Sequence, residues 1–375
     1  MQIYLGFAAI FLHMLEESCT FAGKSQEMSI KERIEALQGG KEREVFVLMD
    51  SKVAALWKMD LPYPTLRIEA GEENKSIATV MQVWEWLTEQ GATREAVLVN
   101  IGGGVVCDLG GFAAATYLRG IDYINVPTTL LAMVDAATGG KTGVNFKMLK
   151  NRVGAFHMPK AVIIKPQFIE TLPPEEFLSG YGEMLKTALL TGEKAYAEAI
   201  AILESAVCDR NVKIGEMIEA CRAYKEHIVS QDPEEKGLRK VLNFGHTVGH
   251  AIEEIVKSQE SRVKSQESRA KSREALHGYC VVWGMVAELY LSVVLLGCPK
   301  EPLQQLVSVM LAYYGRPQCN CKEQSELIAL MRKDKKNATA DAINFTLLKK
   351  AGDPIINQVA EPKVIEEALD YLFSL

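Results

Sequence analysis

The chain lacks an excess of positive charge. Its 42 Lys and Arg face 48 Asp and Glu, a net of −6, which removes the basic face that nucleic-acid binding would favour. An anionic small molecule remains possible, because local basic residues matter more than the total. It also lacks a disulfide framework. Eight cysteines are scattered at 19, 107, 208, 221, 280, 298, 319 and 321, which suits a reducing cytosol. The pair Cys319 and Cys321 falls short of the four ligands of a structural zinc site. No basic residue precedes the apolar run Ile3–Leu15, as a secretory signal would require, and that run is too short to cross a bilayer as a helix. The expected protein is cytoplasmic, with neither membrane nor nucleic acid as a partner. Two nucleotide-binding patterns are also missing. G-x-G-x-x-G does not occur at the glycine-rich turn. Gly140-Lys141-Thr142 lacks the upstream glycine of a P-loop, because position 135 is Asp, and this excludes an ATPase of that class.

What is present divides in two. Short apolar runs at Glu44–Met49, Leu66–Ala70, Ala96–Ile101, Tyr123–Val126 and Ala161–Ile164 alternate with helical spacing such as Lys75–Glu89. That alternation predicts a Rossmann-like parallel sheet covered on both faces. From Pro174 to about Gly315 the pattern is helical: Glu175–Leu190, Lys194–Cys208, Val212–Val229, His246–Val256, Gly278–Leu296 and Pro302–Tyr314. A late strand (Ile343–Leu348) and a helix (Lys363–Phe373) follow. The expected organisation is an α/β domain over residues 1–170 and a mostly α-helical domain over 171–375. At 375 residues the chain is long enough for two cores. One segment is repetitive. VKSQESR at 256–262 recurs at 263–269, and AKSR begins a third copy; the stretch carries six basic and two acidic residues. It reads as a solvent-exposed loop or helix extension.

Three groups of residues carry chemistry. Gly102, Gly103 and Gly104 directly follow a strand, where glycine lets backbone approach a pyrophosphate and the next helix N-terminus favours the negative charge. A tight strand–helix turn would look the same. Asp50, ending an earlier strand, is placed either to bond a ribose hydroxyl or to cap a helix. Thr128, Thr129, Asp135 and Lys141 lie within fifteen residues, and Arg119, Lys150 and Asn151 add further polar groups in the same half. In the second half, half of the six histidines fall between 246 and 277. His246 and His250 share a helical face. His277 opens another helix, and Glu183 sits in a Gly-Tyr-Gly-Glu run. Two His and a carboxylate with an open position are the usual donors of a catalytic zinc.

The runs GGGVVCDLGGFAAATYLRGIDYINVPTTLLAMVDAATGGKTGVN (102–145), KNRVGAF (150–156), SGYGEMLK (179–186), DPEEKGLRKVLNFGHTVGHAIE (232–253) and DKKN (334–337) closely resemble the signatures of 3-dehydroquinate synthases, over roughly residues 44 to 373. The resemblance implies NAD and a divalent metal, Zn2+ or Co2+, as cofactors. It implies Glu183, His246 and His277 as metal ligands and His250 as a catalytic residue outside the ligand set. Asp50, Glu72, Lys75, Gly102, Gly103, Gly104, Asp108, Thr128, Thr129 and Lys150 would contact NAD. Asp135, Lys141, Asn151, Lys186, Lys225, Arg239, Asn243 and one or both of Lys335 and Lys336 would contact an anionic sugar-acid phosphate. Arg119 would reach a neighbouring subunit's site, so a homodimer is expected. The implied reaction is that of the shikimate pathway. An alcohol is transiently oxidised by NAD, phosphate leaves by β-elimination, the hydride returns, and an intramolecular aldol closes the ring. Related sugar phosphate cyclases (2-deoxy-scyllo-inosose and valiolone synthases) and glycerol-type dehydrogenases are the alternatives. Three positions depart from the usual pattern: Cys107 for Gly or Thr, Tyr279 for Glu, and Lys165 for Asp. The duplication lies between His250 and His277, which makes His277 the ligand most exposed to displacement.

Overall fold

A computed structural model describes residues 29–37, 43–69, 71–147, 149–206, 214–263, 276–317, 319, 323–333 and 342–375. They form two compact units. One holds the described residues up to Pro173 together with Ile214–Glu226; the other holds Pro174 onward, apart from that insert. The sheet unit thus recruits a stretch from the second half of the chain that a single division at residue 170 leaves with the helices.

In the sheet unit, α1 (Ile30–Leu37) precedes β1 (Val45–Asp50), α2 (Ser51–Trp57), β2 (Thr65–Ile68), α3 (Ile77–Glu89), β3 (Val97–Gly102), α4 (Gly104–Thr116) and β4 (Asp122–Pro127). A hairpin of β5 (Lys141–Phe146) and β6 (Leu149–Phe156) follows, then the two-residue β7 (Ala161–Val162). The main sheet runs β2-β1-β3-β4-β7, and all its pairings are parallel. Strand β3 is buried along its whole length and β1 along all but Asp50, as expected where helices cover both faces. Helix α3 begins at Ser76, whose side chain accepts from Thr79 N. It turns Thr79, Val80, Val83 and Leu87 inward at helical spacing. Val80, Val83 and Leu87 pack with Phe46, Leu48, Leu98, Leu109 and Phe112 to form the core.

The antiparallel β5–β6 hairpin is the part of this unit that periodicity did not reveal. Its sequence is rich in glycine and polar residues and has no alternating apolar face, so it reads as binding loop.

The helical unit comprises α5 (Pro174–Thr191), α6 (Glu193–Ala206), the end of α7 (Ile214–Gln231), α8 (His246–Val263), α9 (His277–Leu296), α10 (Glu301–Val309), α11 (Gln324–Arg332), an antiparallel hairpin of β8 (Asn344–Leu348) and β9 (Pro354–Val359), and α12 (Pro362–Ser374). Helix α9 has the length and hydropathy to cross a bilayer. Its residues Gly278, Cys280 to Leu289, Leu291 and Ser292 are nevertheless buried within the unit, as in the core helix of a packed domain. Helix α8 runs past Val256 to Val263, so the first VKSQESR copy is helical as far as its backbone is described. The second copy, apart from Val263, lies outside the described residues.

Candidate active site

In the sheet unit several of the candidate residues lie at the carboxyl ends of the strands. The strand order reverses direction between β1 and β3, and such a switch point opens a crevice outside the strand ends. Asp50 ends β1 and Gly102 ends β3, so both flank it. Helix α4 begins there with no side-chain cap, which leaves its first N–H groups to water or to an anion. The Asp50 carboxylate caps α2, its Oδ1 accepting from Lys52 N at 2.8 Å and Val53 N at 3.3 Å.

Two polar knots lie nearby in sequence. Buried Lys75 donates to Asp108 Oδ2 and Asn151 Oδ1, both at 2.6 Å. Burial pushes the Asp108 carboxyl above its ordinary value, against the pull of Lys75. Asn151 is held at positive φ by its backbone N–H, which donates to Asn145 Oδ1, and Asn145 Nδ2 in turn donates to Glu72. The second knot is Lys225, which donates to the Asp135 backbone carbonyl at 2.6 Å and to its carboxylate at 2.7 Å. Lys225 lies in the segment of α7 that belongs to the sheet unit. Lys150 lies 3.7 Å from Glu72. Thr128 is buried, and Thr129 Oγ1 accepts from Ala132 N. Arg119 and Lys141 are exposed. Lys335 and Lys336 lie outside the described residues.

In the helical unit four side chains converge from three helices. Glu183 on α5 is 1% exposed. Its Oε1 lies 3.4 Å from His246 Nε2 and 3.4 Å from His277 Nε2, and its Oε2 lies 2.5 Å from Lys186 Nζ. Neither carboxylate oxygen makes an aligned hydrogen bond. One ring nitrogen from each of His246, His250 and His277 falls within 4.8 Å of the others. Metal–ligand bonds of 2.0–2.1 Å in a tetrahedron place neighbouring donors roughly 3.3 Å apart. The Glu183–His246 and Glu183–His277 separations therefore match a shared divalent ion better than direct hydrogen bonds, and the donor set is the right chemistry for one. Burial raises the Glu183 carboxyl, but Lys186 and His277 outweigh it and hold it at about 2. Burial lowers His277, but Glu183 and Glu253 outweigh it and hold the ring at about 9.

Glycines explain how three helices come close enough. Every member of the cluster has a glycine beside it: Gly182 before Glu183, Gly245 before His246, Gly249 before His250 and Gly278 after His277. A Cβ on Gly278 would sit 1.8 Å from Ser179 O, and one on Gly182 would sit 2.6 Å from Gly278 O. Helices α5 and α9 therefore touch backbone to backbone. A Cβ on Gly284 would lie 2.0 Å from Gly245 O, and one on Gly249 would lie 2.7 Å from Cys280 O, which joins α8 and α9 in the same way.

Two carboxylates that the motif reading passed over complete this centre. Glu288, fully buried on α9, accepts from Gly245 N (2.6 Å), Thr247 N (3.0 Å) and Val248 N (3.2 Å). It therefore caps the helix that begins at His246. Glu253 Oε2 lies 3.1 Å from His277 Nδ1. The sequence signal for Glu253 was its place three residues after His250, on the same helical face; Glu288 carried no comparable signal. In the loop ahead of α8, Asp232 accepts from Lys236 N, Gly237 N and Arg239 N. Those bonds outweigh desolvation and hold its carboxyl below the ordinary value. The loop presents Arg239, buried and donating to Pro233 O, and Asn243, donating to Glu235.

Two family profiles match the chain, 3-dehydroquinate synthase N-terminal over residues 65–179 and 3-dehydroquinate synthase C-terminal over 180–337. The chain belongs to the 3-dehydroquinate synthase family. Among curated relatives, a 3-dehydroquinate synthase of Parabacteroides distasonis is 43% identical over 88% of this chain and 92% of its own length. Among solved structures, a 2-epi-5-epi-valiolone synthase from Streptomyces hygroscopicus with NAD+ and Zn2+ bound is similar at a TM-score of 0.73. It shares 27% identity over 90% of this chain and 92% of that one. A 2-deoxy-scyllo-inosose synthase complexed with carbaglucose-6-phosphate, NAD+ and Co2+ shares the fold at a TM-score of 0.70 and 22% identity, over 91% of this chain and 95% of that one. The family assignment accounts for the α/β and helical architecture together. The two profiles meet at residues 179 and 180, just before the Gly-Tyr-Gly-Glu run.

Proposed function

We propose that this enzyme converts 3-deoxy-D-arabino-heptulosonate 7-phosphate to 3-dehydroquinate and inorganic phosphate, with NAD and a divalent ion as cofactors that are regenerated in each turnover. The observation that carries this reading is the buried Glu183 carboxylate facing His246 and His277, in a chain so similar to a 3-dehydroquinate synthase over most of its length. When bound, NAD supplies a hydride acceptor and the divalent ion supplies a Lewis acid. The chain's own residues supply the rest. Glu183, His246 and His277 are the ligands, and buried Lys186 favours the ionised form of Glu183. His250, one turn beyond His246, moves the proton associated with phosphate departure. Arg239 and Asn243 orient the substrate carboxylate, for which a guanidinium fork is well shaped. Lys141, Asn151 and Arg119 hold the phosphate, and the Asp135–Lys225 pair takes substrate hydroxyls. The uncapped turn at Gly102–Gly104 and Asp50 receive the dinucleotide.

A second reading, a cyclase acting on a sugar phosphate without a carboxylate, is favoured by the likeness to the valiolone synthase structure. Arg239, Asn243 and Lys225 together argue for the acid substrate. The deciding experiment supplies purified protein with NAD, zinc and the heptulosonate phosphate and follows inorganic phosphate. Phosphate release that needs both cofactors, without net NADH, supports the reading. Steady NADH accumulation, or full activity in Glu183→Ala, overturns it. We further propose a cytoplasmic homodimer. The β5–β6 hairpin and the residues after it expose Phe146, Val153, Phe156 and Met158, an apolar set that a second copy would cover. Sedimentation velocity at micromolar concentration tests it, and a monomer refutes it.

A further inference from the structure

We infer that Glu253 is a positioning residue of the metal centre, held in place by Lys257 of the duplicated segment; the inference rests on the metal reading above. Helix α8 carries His246, His250, Glu253 and Lys257 at steps of four, three and four, a single face. Glu253 is nearly fully buried. One of its oxygens pairs with Lys257 Nζ, and the other lies 3.1 Å from His277 Nδ1. An ionised carboxylate only accepts, so Nδ1 is the donor. The Nε2 of the same ring is the atom turned to Glu183 Oε1, at 3.4 Å. A histidine ligand whose second nitrogen donates to a carboxylate is fixed in tautomer and ring orientation.

His277 has particular need of such a tether. It is the first residue of α9, and Leu276 before it provides no side-chain cap. The ring therefore stands at a helix end that its own backbone anchors weakly. Glu253 reaches it from the neighbouring helix and fixes the side chain there. The first copy of VKSQESR begins at Val256. Its lysine, at position 257, lies one turn beyond Glu253 and neutralises the oxygen that His277 does not use. The duplicated segment between His250 and His277 thus contributes, through its first copy, a side chain that braces His277.

The test measures the zinc dissociation constant of the full chain by chelator competition, alongside thermal melting of the metal-free protein. Glu253→Ala is expected to weaken zinc 10–100-fold, Glu253→Gln by less than about tenfold because its amide oxygen still accepts from Nδ1, and Lys257→Ala by a few-fold. In a His277→Ala background, Glu253→Ala should weaken zinc no further. Loss of zinc affinity by the same factor in both backgrounds would mean a general packing role and would overturn the inference, as would a Glu253→Ala protein that binds zinc as tightly as the parent. If Glu253→Ala fails to fold, Glu253→Gln and Lys257→Ala carry the same comparison. The two layers fail differently. Zinc binding unaffected by Glu183→Ala removes the metal reading itself. Zinc binding abolished by Glu183→Ala but untouched by Glu253→Ala removes only the role of Glu253.

Discussion

Removing Glu288 should loosen the helix that carries two of the clustered histidines without touching either of them. Its carboxylate receives three backbone N–H groups, one from Gly245 just before α8 and two from the first turn of α8, and the side chain is fully buried. Hydrogen bonds to a charged group contribute about 1.5–3 kcal/mol each, and losing one partner leaves buried donors unsatisfied. The three bonds share one group and are not additive, so Glu288→Ala should cost roughly 3–6 kcal/mol of unfolding free energy. Glu288→Gln separates the contributions. One oxygen, Oε1, serves both Thr247 and Val248, while Oε2 serves Gly245. An amide can keep the first pair but turns a donor toward the Gly245 N–H, so it should lose about one bond, or 1.5–3 kcal/mol. Urea unfolding of the metal-free chain, followed by circular dichroism, measures both variants. The ranking wild type, Gln, Ala supports the cap. A Glu288→Ala protein within about 1 kcal/mol of the parent would refute the reasoning, because a typical exposed N-cap alone contributes about that much.

Three further expectations follow from the same geometry. Gly278→Ala places a Cβ 1.8 Å from Ser179 O; it should separate α5 from α9, cost on the order of 3 kcal/mol or more, and abolish zinc retention on gel filtration, whereas intact zinc content would refute the backbone contact. The metal-free protein holds His277 at about 9, above its ordinary 6.5. That contribution to apoprotein stability is therefore fully present below pH 6.5 and fades as pH rises through 9. Zinc uptake at pH 7.5 must then expel about one proton, which calorimetry in two buffers of different ionisation enthalpy would register; buffer-independent heats would contradict it. The Cys298 and Cys319 thiols are pushed up to about 11 and about 12 by burial, so in the folded protein both should resist a disulfide reagent at pH 8 and react once denatured. Rapid labelling of either in the native state would show the burial to be wrong.

Much of this protein was legible before folding. Continuous apolar runs such as Val45–Met49 and Val97–Val99 marked buried parallel strands, because a sheet covered on both faces leaves no polar side to alternate. The i, i+4 spacing of His246 and His250 put both on one helical face whatever the tertiary context. The β5–β6 hairpin and the strand Pro354–Val359 were not legible, because their residues have weak alternation and their pairing depends on a partner strand. Sequence could not separate the two readings of Asp50, which depend on where the next N–H groups point; folded, its Oδ1 caps α2. Nor did it assign a role to Glu253, which shares a helical face with His250, or to Glu288, which has no motif around it. Their roles come from contacts across 24 and 43 residues, which only helix packing creates. What rests on residue type and local spacing was therefore in the sequence: the donor set, the glycine turn and the lysines around them. What the tertiary structure decided was how Glu183, His246 and His277 meet. Backbone-to-backbone contact at Gly182, Gly249, Gly278 and Gly284 lets three helices approach within reach of one ion, and two buried carboxylates hold the histidines in place there.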